Sequence, residues 1–89
     1  MRYKLWQSNS SEQAIRVTFY LDDDDGEVTA MVERTGPVRE GEDYSWYPFG
    51  EPTRMLDEAS SIATKMGLDV VYIKLEGVDW NPEWGPLPE

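Results

Sequence analysis

Residues 14–33 read AIRVTFYLDDDDGEVTAMVE, two alternating apolar runs separated by four aspartates and a glycine. A side-chain period of two is the mark of a half-buried strand. The first run sets Ile15, Val17, Phe19 and Leu21 on one side and Arg16, Thr18 and Tyr20 on the other. The second sets Val28, Ala30 and Val32 against Thr29, Met31 and Glu33. Slipping a strand by one residue turns its apolar set to the wrong face, so the loop joining these strands must hold an even number of residues. Asp25-Gly26 alone is the strongest short hairpin signal. It would set Asp23 across from Val28 and Val17 across from Arg34, however, whereas a loop of Asp23 to Gly26 pairs Leu21 with Val28, Phe19 with Ala30 and Val17 with Val32. The longer loop is expected, with Asp22 opposite Glu27 at the tip at a mild electrostatic cost.

MRYKLWQ at the N-terminus also alternates and reads as a strand. If it pairs with the next strand in a hairpin, SNSSE must contain an odd loop, so that Tyr3 and Leu5 share the face of Ile15 and Val17. Residues 35–50, TGPVREGEDYSWYPFG, read as a long aromatic loop with a short strand around YSWY. In EPTRMLDEASSIATKMG, Met55, Ala59, Ile62 and Met66 recur at helical spacing, with Leu56 and Ala63 beside them. Pro52 suits the first helical position and Gly67 the left-handed position past the end, so a helix is expected over residues 52–66. LDVVYIKL follows as a strand. EGVDWNPEWGPLPE, rich in Pro, Gly and Trp, reads as an extended tail. The expected fold is α+β: an antiparallel meander of three to four strands, one amphipathic helix packed on one sheet face and a closing C-terminal strand. Residues 1–78 form the domain and 79–89 the tail.

At 89 residues such a domain buries roughly 60–65% of the surface its unfolded chain exposes. Hydrophobic residues make up 39% and aromatics 12%, which favours a folded domain over a disordered acidic chain despite a net charge of −10. There is no Cys and no His, which removes disulfides, thiolate zinc sites, Cys nucleophiles and the imidazole base of Ser and Cys triads. Nowhere do 18 apolar residues follow one another, and no apolar run of signal-peptide length stands at the start, so a cytoplasmic chain with no membrane partner is expected. The net charge opposes generic binding to phosphate backbones or anionic membranes.

Three features offer chemistry. The aspartates Asp22, Asp23, Asp24 and Asp25 fail as an EF-hand loop. With Gly26 at the sixth position, Leu21 and Val32 fall where the first and the bidentate ligand belong. They read first as a solvated turn, and no metal or other cofactor is expected. Together with Glu40, Glu42 and Asp43, they offer carboxylates to a basic surface on another protein. The second feature is the sheet face away from the helix, where Arg2, Lys4, Trp6, Arg16, Tyr20, Met31, Tyr72 and Lys74 gather basic and aromatic side chains on an acidic protein. The third is the tail, whose Asp79, Trp80, Glu83 and Trp84 supply acids and indoles to fold back over that face.

No catalytic residue is assigned, because the abundant acids lie at turns and tails rather than in an enclosing pocket. The expected function is a small, acidic, non-catalytic protein-interaction module. Its partner is another protein with a basic surface, or a second copy in a homodimer. An acidic inhibitor imitating nucleic acid is the alternative. A single-strand nucleic-acid binder using the basic-aromatic face ranks third.

Overall fold

The computed structural model describes residues 1–7, 13–35 and 48–89. Among them five strands form one mixed sheet: β1 (Arg2–Leu5), β2 (Ala14–Leu21), β3 (Val28–Thr35), β4 (Phe49–Gly50) and β5 (Val70–Glu76), in the spatial order β1-β5-β2-β3-β4. A single helix, α1 (Pro52–Lys65), packs on one face against β2, β3 and β5. The class is α+β.

The β2–β3 hairpin takes the register that parity requires, with Leu21 opposite Val28, Phe19 opposite Ala30 and Val17 opposite Val32. The Asp22 amide donates to the Glu27 carbonyl at 2.9 Å and the Gly26 amide to the Asp22 carbonyl at 2.8 Å, closing a loop of Asp23 to Gly26. Gly26, at φ +70°, takes the left-handed conformation that costs a side-chain-bearing residue most.

The first hairpin does not exist. β1 pairs in parallel with β5, and β5 in parallel with β2, so the closing strand is inserted between the two that the meander would have joined. Parallel strands cannot be linked by a tight turn, and β1 and β2 are not paired; SNSSE lies outside the described residues. The physical reason is burial. Val71 and Ile73 are fully buried, and the sheet gives an interior position to such a strand. The short, amphipathic β1, with Leu5 46% exposed, takes the edge. The strand expected around YSWY also falls outside the described residues, and β4 begins after it, at Phe49.

The helix runs one residue shorter than expected, with Met66 as its C-cap. Gly67, at φ +76°, ends it: the Leu68 amide reaches back to the Ala63 carbonyl and the Gly67 amide to the Thr64 carbonyl, the paired bonds of a Schellman motif. Glu51 caps the N-terminus, its carboxylate accepting from the amides of Thr53 and Arg54. The buried face carries Met55, Leu56, Ala59 and Ala63 onto Ile15, Val17, Ala30, Val32, Val71 and Ile73.

The tail docks on this same core, not on the opposite sheet face. Trp84 stacks on Phe19 with ring centroids 4.7 Å apart, and Trp80 meets both rings edge-on, at 5.6 Å from Phe19 and 5.2 Å from Trp84. A 3₁₀ turn, Pro82–Trp84, holds the two indoles, with the Asn81 side chain accepting from the Glu83 amide and the Trp80 indole N–H donating to the Gly85 carbonyl. The chain then reaches the outer edge of β1, where the Glu89 amide donates to the Tyr3 carbonyl and the Leu5 amide to the Glu89 carbonyl. The indoles go to the core because the apolar Phe19 ring gains more from aromatic cover than a polar face would. Among the described residues no helix is long and apolar enough to cross a membrane.

Candidate interaction face

The sheet face away from α1 is assembled from residues of matching parity on every strand. One row across it runs Lys4, Tyr72, Arg16, Glu33. The next runs Lys74, Thr18, Met31, Phe49, and a third Glu76, Tyr20, Thr29. Arg2 stands beside Val70 at one corner. The register thus gathers the strand residues Arg2, Lys4, Arg16, Tyr20, Met31, Tyr72 and Lys74, although the order of their strands differs from the expected one. Trp6, just past β1, leans over the same face: its amide donates to the Ile73 carbonyl, and its ring meets Tyr72 edge-on at 5.5 Å.

Much of this surface is already mutually satisfied. The Arg16 guanidinium lies 5.0 Å over the Trp6 ring and forms an ion pair with Glu33. Lys74 pairs with Glu76 at 2.9 Å, both ends well exposed, so that bridge contributes little. Among the strand residues of this face, four cations (Arg2, Lys4, Arg16, Lys74) meet two carboxylates (Glu33, Glu76), leaving a local charge of +2 on a chain of net −10. Two polar atoms stand out. Thr18 is 3% exposed and among the described residues its Oγ1 has no hydrogen-bond partner; neither has Nε of Arg16, two residues away along β2.

Sequence reading missed two members of this face. Phe49 had been assigned to the loop, but as the partner of Met31 it lies on the open side, 64% exposed. Glu76 follows the expected strand LDVVYIKL, and β5 runs one residue past that expected end at Leu75. A two-residue strand after a long loop leaves no periodicity to find, whereas the parity of Lys74 already implied Glu76.

The acidic residues divide. Asp22 and Asp25 each turn a carboxylate oxygen to the loop itself, accepting from the Asp24 amide at 2.8 Å and the Glu27 amide at 2.9 Å. They are turn formers. Asp23 and Asp24 point into solvent. Among the described residues no group of three or more acids, His or Cys is placed to hold a metal ion. Glu40, Glu42 and Asp43 lie outside the described residues. Trp80 and Trp84, taken as cover for the basic-aromatic face, are instead part of the core.

The topology also collects acids. Because β2 and β5 run parallel with Tyr20 beside Glu76, the chain after β5 emerges at the end of the sheet that carries the aspartate hairpin. β4 runs the same way, bringing Glu51 there too. Asp22 to Asp25, Glu27, Glu51, Glu76, Asp79 and Glu83 therefore belong to one end of the molecule. Comparison of the chain with protein-family models, with curated proteins and with solved structures finds no match.

Proposed function

We propose that this chain is a small, acidic, non-catalytic interaction module of the cytoplasm that binds another protein through the open face of its sheet. One observation carries the reading. The helix and the two indoles cover one sheet face, whereas among the described residues no helix or strand packs on the other, where Phe49 is largely exposed and Tyr20, Met31, Tyr72 and Lys74 are half-exposed. Strand addition at the β1 edge is a poorer route, since Glu89 already takes its outward amide and carbonyl.

Magnitudes rank the single-strand binder below this. Stacking a base on Trp6 gains about 1–3 kcal/mol but displaces an aromatic pair worth about 0.5–1.5 kcal/mol and a cation–π contact of about 0.5–2 kcal/mol. Little net gain remains. The acidic inhibitor stays as the second reading, favoured by the collection of carboxylates at one end of the sheet, an arrangement suited to a basic cleft.

Capture from host extract separates the two. A face variant, Tyr20→Ala with Met31→Asp, is expected to lose the bound protein at least about tenfold, the scale of one good anchor residue, while Asp23→Asn with Asp24→Asn keeps it. The reverse pattern establishes the acidic inhibitor. Capture indifferent to both pairs refutes the open face as the binding surface.

A further inference from the structure

Thr18 and Arg16 are neighbours on the open face of β2, and Thr18 Oγ1 and Arg16 Nε are hydrogen-bond donors without a partner among the described residues. Lys74, the partner of Thr18 on β5, adds an ammonium held only by an exposed pair with Glu76. On the other side Met31 and the exposed Phe49 continue the row as an apolar shelf. A buried donor without an acceptor is disfavoured, and a ligand oxygen that reaches it recovers that loss. We infer that the open face binds an acidic peptide segment of a partner protein, one carboxylate entering between Arg16, Thr18 and Lys74 while an adjacent apolar side chain rests on Met31 and Phe49. The inference rests on the open face being the binding surface and adds the chemistry of the partner.

The flanking side chains permit entry. Lys74 is 41% exposed at its side chain, and both it and Met31, the cross-strand partners of Thr18, are unbranched, so they can move aside without moving backbone. The net negative charge does not forbid an acidic partner. Four residues of extended strand separate Thr18 from Asp22, about 13 Å at 3.3 Å per residue, beyond the roughly 8 Å screening length at physiological salt; the nearer Glu76 is paired with Lys74. At the site Glu33 and Glu76 balance Arg16 and Lys74, and the positive excess of the open face comes from Arg2 and Lys4 on β1. An acidic peptide is favoured over nucleic acid because Trp6 and Tyr72 already engage each other, and Arg16 occupies the Trp6 face.

The test is an amide NMR titration of the full chain with a terminally blocked peptide alternating glutamate and phenylalanine. Two twins, carrying lysine or glutamine for glutamate, and oligothymidylate complete the probes. The glutamate peptide is expected to shift the amides of Arg16, Thr18, Met31 and Lys74 saturably. The glutamine twin should bind at least about tenfold more weakly, as loss of a charged hydrogen bond implies. Lys74→Gln, at an exposed side chain that leaves the fold intact, should weaken the glutamate peptide by a similar factor, and Arg16→Gln by more. Saturation of the same amides by the lysine twin or by oligothymidylate at equal affinity overturns the inference, as does the absence of saturable shifts with any probe. Shifts that follow protein concentration alone assign the face to a second copy and overturn it too. If face variants abolish capture of a host protein but the glutamate peptide fails, the binding surface stands and only its acidic partner is lost. If face variants leave capture unchanged, the surface itself is refuted.

Discussion

Phe19 is the residue at which the sheet and the C-terminal segment meet. It is fully buried, yet its cover comes from two indoles more than 60 positions further along the chain rather than from a neighbouring turn. Replacing Trp84 by Ala should therefore destabilise the protein by about 2–4 kcal/mol, the range for removing a large core ring. Trp84→Phe should recover most of the loss by keeping a stacked ring; equilibrium urea unfolding measures both. At the start of α1, Glu51 accepts from the Thr53 hydroxyl and from the amides of Thr53 and Arg54, and these bonds hold its carboxyl below the ordinary 4.5. A depressed carboxyl stabilises the fold fully above its unfolded value and loses that contribution as the pH falls through the folded one. Carbon-detected titration should place the Glu51 midpoint below 4.5, and Glu51→Gln should remove its share of the acid sensitivity of α1. A midpoint at or above that value would contradict the cap.

Among the elements, the C-terminal segment differs most from its appearance in the sequence. Pro, Gly and Trp in close order suggested an extended tail. In the fold, residues 79–89 roof the part of the core next to α1 and occupy the outer edge of β1. Removing them should lower Tm, expose Phe19 and free the Leu5 amide. Loss of Leu5 protection in hydrogen exchange, with β2 and β3 amides still protected, is the expected signature. Unchanged Tm after truncation would show that the segment contributes nothing to the core. The helix, by contrast, was legible almost to the residue, because Pro52 fixes φ at its first turn and Gly67 takes the left-handed conformation past its end without strain, whatever the tertiary context.

For the whole molecule, the governing feature is an uneven distribution of charge. Acids from the hairpin tip, the α1 N-cap and the chain after β5 share one end of the sheet, while the open face carries a local excess of cations. Crowded carboxylates repel, and salt screens that repulsion. Stability should rise as ionic strength increases from about 0.01 to 0.15 M, each 1 kcal/mol of relieved repulsion raising Tm by about 4–8 °C for a domain of this size. Calorimetric scans across that range check it; a falling Tm would mean that attractive ion pairs such as Arg16–Glu33 outweigh the acidic end.

The inward and outward residues of β1, β2, β3 and β5 were determined by the sequence alone, since alternation is a property of a strand by itself. So was the hairpin register, through the even loop that apolar pairing demands. The composition of the open face followed from the same parity, apart from Phe49 and Glu76. What only the tertiary structure decided was which strands become neighbours: β5 entered between β1 and β2, and the indoles settled on Phe19. Parity constrains faces but is blind to order, because any arrangement that keeps apolar faces together satisfies it equally. Choosing among those arrangements depends on which strand gains most from burial inside the sheet and on which apolar ring the indoles can stack on, and both are properties of the assembled core rather than of any segment.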